Sequence, residues 1–127
     1  MRRAELLKLF AAERASYSSE FPLLAGSVLE TWASYYLPGG REWRDIAQAV
    51  YDGGVPTVRI VQRALRLPRR NLVALIRHEL AHLANMSLSE RQADALAMRV
   101  TGVPVRYDAR DLQTTGRGGK RPGRLHR

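Results

Sequence analysis

Residues 76–85 read IRHELAHLAN and hold two of the chain's three histidines. His78 and His82 stand four apart, with Glu79 directly after the first, which makes the pattern His-Glu-x-x-His. On an α-helix, positions four apart lie about 40° from each other on the wheel, so both imidazoles project from one face, one turn apart. That spacing lets two ring nitrogens reach one zinc ion at about 2.0–2.1 Å. Glu79 stands about 100° round from His78. This is too far for a comfortable third ligand and well placed for leaning over a water held by the metal. Zinc lowers the pKa of such a water and a carboxylate takes its proton. Leu72, Ile76, Leu80 and Leu83 gather on another face, which can pack into a core. One helix would therefore anchor in the core and present its ligands from a different face. The competing reading is a plain helix with incidental histidines. Shuffling the chain's own composition produces this pattern only about 0.003 times, so chance is a poor explanation.

Two histidines do not complete a catalytic zinc site, for which three protein ligands and a water are the norm. The remaining histidine is His126, far downstream. Closer lies Ser87-Leu88-Ser89-Glu90-Arg91-Gln92-Ala93-Asp94, the start of a further helix on which Glu90 and Asp94, four apart, share a face. Glu90 as third ligand would give a His₂Glu site. The alternative is a capping box, Ser87-x-x-Glu90, in which the glutamate bonds back to the cap amide. Asp94 would then be a solvated helix residue.

Upstream, Arg2 to about Ser16 reads as an amphipathic helix with Leu6, Phe10 and Glu13 on one side. Pro22 suits a first helical turn, and Leu23 to about Tyr36 reads as a second helix stopped by Pro38-Gly39-Gly40. Asp45 to Tyr51 and Val55 to Val61 flank Asp52-Gly53-Gly54, a hairpin signal, since Asp-Gly supplies positive-φ turn positions. The first of these segments also fits a helical period. Pro56 lacks a ladder donor, which predicts an edge position for the second. Arg63 to Arg70 is a basic connector. Asn71 is a candidate cap for a helix from Leu72 to about Ala84, and Ser87 opens a last helix closed by Gly102 and Pro104. Beyond Tyr107 no apolar period remains, so residues 1–107 read as a single domain and residues 108–127 as a basic Gly/Arg-rich tail, flexible or covering a cleft.

Composition narrows the classes. There is no cysteine, which excludes disulfides and cysteine-ligated zinc. Lys8, Glu13 and Arg14 interrupt the apolar N-terminal run, and no stretch of about 18 uncharged apolar residues occurs. The expectation is a soluble, cytoplasmic protein with no membrane partner. The net charge of +9 suggests nucleic acid, but more than half of the excess lies in residues 105–127.

HELAH followed by ERQAD resembles the gluzincin class of zinc metallopeptidases. Residues 55–102 also resemble the compact peptidase domains of the ImmA/IrrE family, and the small size is similar to that of the minigluzincins. The resemblance implies an α+β zincin-like domain with about four helices and a small antiparallel sheet, the active-site helix being followed by the glutamate helix. It implies zinc held by His78, His82 and Glu90, with Asp94 supporting His78 through its other ring nitrogen. SprT-like proteases share the strand-then-HExxH layout but take a third histidine after the motif, where this chain offers only His126.

The expected activity is that of a zinc-dependent endopeptidase in which Glu79 moves the proton, with a peptide or protein as substrate. Tyr107, after the glutamate helix, is a candidate oxyanion stabiliser set against a Tyr packed at the domain edge. The Val55–Val61 strand, as an edge, could receive an extended substrate. By the same resemblance the enzyme could be latent, its tail folded over the cleft with Asp108, Asp111 or His126 near the metal. The rival expectation is a metallopeptidase-like regulator that binds nucleic acid through the basic tail.

Overall fold

A computed structural model describes residues 1–33, 35–36, 42–43 and 46–105. Three α-helices pack together, the second of them against a three-stranded sheet, and two further short strands pair with each other. In chain order the elements are α1 (Arg3–Ser18), β1 (Val28–Trp32), β2 (Tyr35–Tyr36), β3 (Glu42–Trp43), β4 (Ala47–Asp52), β5 (Val55–Val61), α2 (Arg69–Ala84) and α3 (Glu90–Thr101). Short 3-10 turns occupy Pro22–Gly26 and Gln62–Arg66. The class is α+β, as expected from the sequence. No helix among the described residues is long and apolar enough to cross a membrane.

The Asp-Gly-Gly signal is a true hairpin. Gly53 and Gly54 take φ of 59° and 86°, and Asp52 faces Val55 across the turn. Both are conformations that a side chain resists, which is why glycine stands at each. The segment that fitted either period is strand β4.

Several expectations are corrected. Leu23 to Tyr36 is not a helix: Pro22 opens a 3-10 turn that ends at Gly26, and Val28-Leu29-Glu30-Thr31-Trp32 forms β1. Val, Thr and Trp favour a pleated surface, and β1 finds a partner in β5, from Val28↔Thr57 to Trp32↔Val61. Consequently the described residues contain three α-helices rather than four, and β5 is the central strand of the order β1-β5-β4 rather than an edge. The sheet is mixed, since β1 runs parallel to β5 and β4 antiparallel. Pro56 is tolerated in the centre because of its place in the ladder. It sits beside the hydrogen-bonded pair that closes the turn, so its amide position faces away from β4. On the other side β1 begins only opposite Thr57. Asn71, finally, is not the cap of α2: the helix starts two residues earlier behind Pro68, and Asn71 is fully buried in its first turn.

The core lies between the sheet and the helices. Leu29, Val58 and Ile60 meet Leu6, Leu9, Phe10 and Tyr17 of α1 and Leu72, Ile76, Leu80 and Leu83 of α2. The four leucine and isoleucine positions expected to anchor α2 are all buried. From α3 only Ala93 and Ala97 enter the cluster, both at 0% exposure. Small side chains shorten the distance at which two helices can pack. This brings α3 close against α2.

Candidate metal centre

Helix α2 carries His78 and His82 one turn apart, with ring centroids 4.7 Å from each other. It ends at Ala84, and the chain turns at once. Leu88 N–H donates to the Asn85 carbonyl, while Asn85 Oδ1 accepts from the backbone and hydroxyl of Ser87. This side-chain turn replaces a glycine cap and returns the backbone to α2 within five residues. Helix α3 then begins with Glu90.

The capping question is answered by the residues around it. Ser89 is the N-cap: its hydroxyl accepts from Gln92 N–H at 3.1 Å, and Gln92 Oε1 accepts from Ser89 N–H at 2.8 Å. The box runs from Ser89 to Gln92 and not from Ser87 to Glu90. The Glu90 carboxylate, free of that duty, faces the histidines from the first turn of α3.

Three side chains therefore converge. Glu90 Oε1 lies 2.5 Å from His78 Nε2 and 3.2 Å from His82 Nε2, and the two Nε2 atoms are 3.1 Å apart. Ligands about 2.0–2.1 Å from a tetrahedral zinc would stand roughly 3.3 Å from one another. Two separations approach that value, and the third is contracted to a charge-assisted hydrogen bond. Two imidazoles and a carboxylate form a donor set suited to a divalent cation. The group formed by His78, His82 and Glu90 is one that could hold a metal ion.

The other nitrogen of His78, Nδ1, is 2.6 Å from Asp94 Oδ1. Asp94 thus fixes the ring so that Nε2 faces inward. Burial of His78 works against its charged form. The hydrogen bonds to Asp94 and Glu90, with the charge of Glu79, outweigh this and raise its pKa to about 9. Glu79 follows His78 on α2 and is itself only 4% exposed.

Sequence reading placed His78, Glu79, His82, Glu90 and Asp94, and the structure brings all five to one end of the α2–α3 pair. Tyr107, the tail acids Asp108 and Asp111, and His126 lie outside the described residues. The sequence reading missed what holds α2 from behind. Arg77 Nε and Nη2 bind Glu13 of α1 at 2.8 and 3.2 Å, and the Tyr17 hydroxyl donates to the Arg77 carbonyl at 2.7 Å. Burial, then the charge of Glu13, pushes the Tyr17 phenol well above its ordinary pKa, and the charge of Asp94 adds to this. The available signal was Glu13 on the apolar side of α1. A carboxylate there needs a cation opposite. Tyr51 of β4 likewise donates to the Leu83 carbonyl at 2.5 Å, satisfying one of the last acceptors of α2.

Comparison with protein families, with curated proteins and with solved structures finds no match to this chain.

Proposed function

We propose that this chain is a zinc-dependent endopeptidase of zincin-like, gluzincin type. One observation carries the reading: Glu90 is released from capping by the Ser89–Gln92 box and turns its carboxylate onto His78 and His82. The cap is already complete with a hydroxyl and an amide, so capping does not account for a carboxylate turned onto one buried and one half-buried ring.

His78, His82 and Glu90 are the residues that would hold the ion, and Asp94 orients His78. Bound zinc would supply an acidified water and polarise the peptide carbonyl. Glu79 accepts the proton of the attacking water and returns it to the leaving amine nitrogen. Its burial keeps bulk water away from that transfer. β5 is flanked on both sides, so among the described residues the edges of this sheet are β1 and β4, and β4 is the one that would take an extended peptide by strand addition. β4 is tied to the end of α2 through Tyr51 and Leu83, so a peptide paired there would run beside the histidine helix.

The test is a pair of measurements on purified protein, zinc content and peptide cleavage, with Glu79→Gln as the variant. The expected outcome is about one zinc per chain in both proteins, with cleavage in the native one and a loss of at least about 100-fold in the variant. Cleavage that persists in Glu79→Gln with zinc bound would remove Glu79 from the mechanism.

A further inference from the structure

The residue just before His78 is gripped twice by the N-terminal helix. The Arg77 guanidinium makes a two-pronged contact with the Glu13 carboxylate, at side-chain exposures of 17% and 12%. The Arg77 carbonyl, part of the peptide joining Arg77 to His78, accepts from the fully buried Tyr17 hydroxyl. One contact fixes a side chain and the other a peptide plane. Together they set both the rotation of α2 about its axis and its depth against α1.

That rotation matters because the donors come from two helices. His78 must meet Asp94 through Nδ1 and Glu90 through Nε2 at the same time. A turn of α2 by about 20° moves a ring nitrogen some 6 Å from the axis by about 2 Å, given the helix dimensions. Contacts of 2.5 and 2.6 Å cannot survive such a shift. The apolar packing of α2 supplies burial without a preferred direction, whereas a bidentate ion pair and a hydrogen bond to a peptide carbonyl are directional.

We infer that Glu13, Tyr17 and Arg77 form a positioning unit of the metal centre, through which α1 holds the histidine helix in the phase that lets His78 reach both Glu90 and Asp94. This rests on the metal-binding reading of His78, His82 and Glu90. None of the three touches the ion or the substrate; they act through the backbone of α2. Glu20 and Arg99 make a contrasting pair. They join the turn after α1 to α3 at 2.7 and 3.0 Å but are exposed, so solvent screens them.

The experiment uses the full chain with Tyr17→Phe, which removes only the hydroxyl, and Glu13→Gln, which keeps a hydrogen-bonding oxygen but not the charge. Glu20→Gln is the control. Zinc affinity is read by competition with a chelating dye. Site geometry is read from the visible absorption of the cobalt(II)-substituted protein, and fold from urea unfolding of the metal-free protein. Tyr17→Phe is expected to weaken zinc binding about tenfold, as loss of an orienting partner does, and to shift the cobalt bands. Glu13→Gln is expected to act in the same direction, and Glu20→Gln to leave affinity within about twofold. If both variants fold less stably but bind zinc and cobalt as the native chain does, the cluster merely holds the fold and the inference is overturned. If the native chain takes up neither metal, the metal reading fails, and this inference with it. Should Tyr17→Phe not fold, Glu13→Gln decides the matter by the same readings.

Discussion

A glutamate at the first position of a helix can serve the backbone or something beyond it, and at Glu90 the neighbours decide. Ser89 and Gln92 satisfy each other's amides in a reciprocal box that does not involve the Glu90 carboxylate, which faces two imidazoles instead. Glu90→Gln should therefore leave α3 intact by circular dichroism while weakening zinc binding by at least about 100-fold, since a carboxylate ligand becomes a neutral amide. The proton on His78 gives a second expectation. Its pKa, raised to about 9 in the metal-free fold, makes protonation stabilising. That contribution is fully present below the ordinary value of about 6.5 and is lost as pH rises through about 9, worth up to about 3 kcal/mol. Urea unfolding of the metal-free protein between those limits should show stability falling with pH, and Asp94→Asn should flatten the slope. Zinc competes with the same proton, so its affinity should climb about tenfold per pH unit over that interval. A flat profile for both quantities would mean that His78 is neutral throughout. At this scale the sequence was informative: a pattern of identities at fixed spacing names His78, Glu79 and His82 whatever lies around them. Glu90 was legible only as one of two possibilities, because the choice rests on which serine, Ser87 or Ser89, begins the helix.

The helices and the hairpin were readable because their signals are local: Gly102, at φ 77°, closes α3 as its position suggested, and the two glycines after Asp52 close the hairpin. β1 was not. Its partner β5 lies nearly thirty residues away, and a parallel pairing leaves no mark in the spacing of Val28 to Trp32 themselves. The same long-range pairing turned β5 from an expected edge into the centre of the sheet. A subtler feature is the alanine pair of α3. Ala93 and Ala97 are both fully buried, and they allow the backbone that carries Glu90 and Asp94 to approach α2. Ala93→Leu should push the helices apart. Overpacking of this kind costs about 1–3 kcal/mol, and the separation should also lower zinc affinity, whereas Ala93→Ser should spare most of it. Chelator competition alongside unfolding checks this. A variant that loses stability but binds zinc normally would show that the helix spacing is not what sets the site.

At the scale of the molecule, the three converging groups lie within residues 78–90, yet their meeting depends on elements far from them in sequence. α1 grips α2 through Glu13 and Tyr17, β4 ties down its end through Tyr51, and the sheet supplies the wall against which its apolar face lies. An unfolded chain keeps the histidines close but cannot hold Glu90 and Asp94 against them. The ion should therefore prefer the folded state, and by linkage it should stabilise that state. At a free zinc concentration a hundredfold above Kd the gain is about 2.7 kcal/mol, which for a chain of this size raises the unfolding midpoint by on the order of 10 °C. Weak binding by two histidines in the unfolded chain would reduce the figure without changing its sign. Calorimetry with and without zinc reads it directly, and His82→Ala supplies the control in which the shift should vanish. A midpoint that zinc leaves unmoved in the native chain would mean that these three groups do not act as one site. The convergence of Glu90 on the two rings would then be an ordinary hydrogen-bond cluster between neighbouring helices.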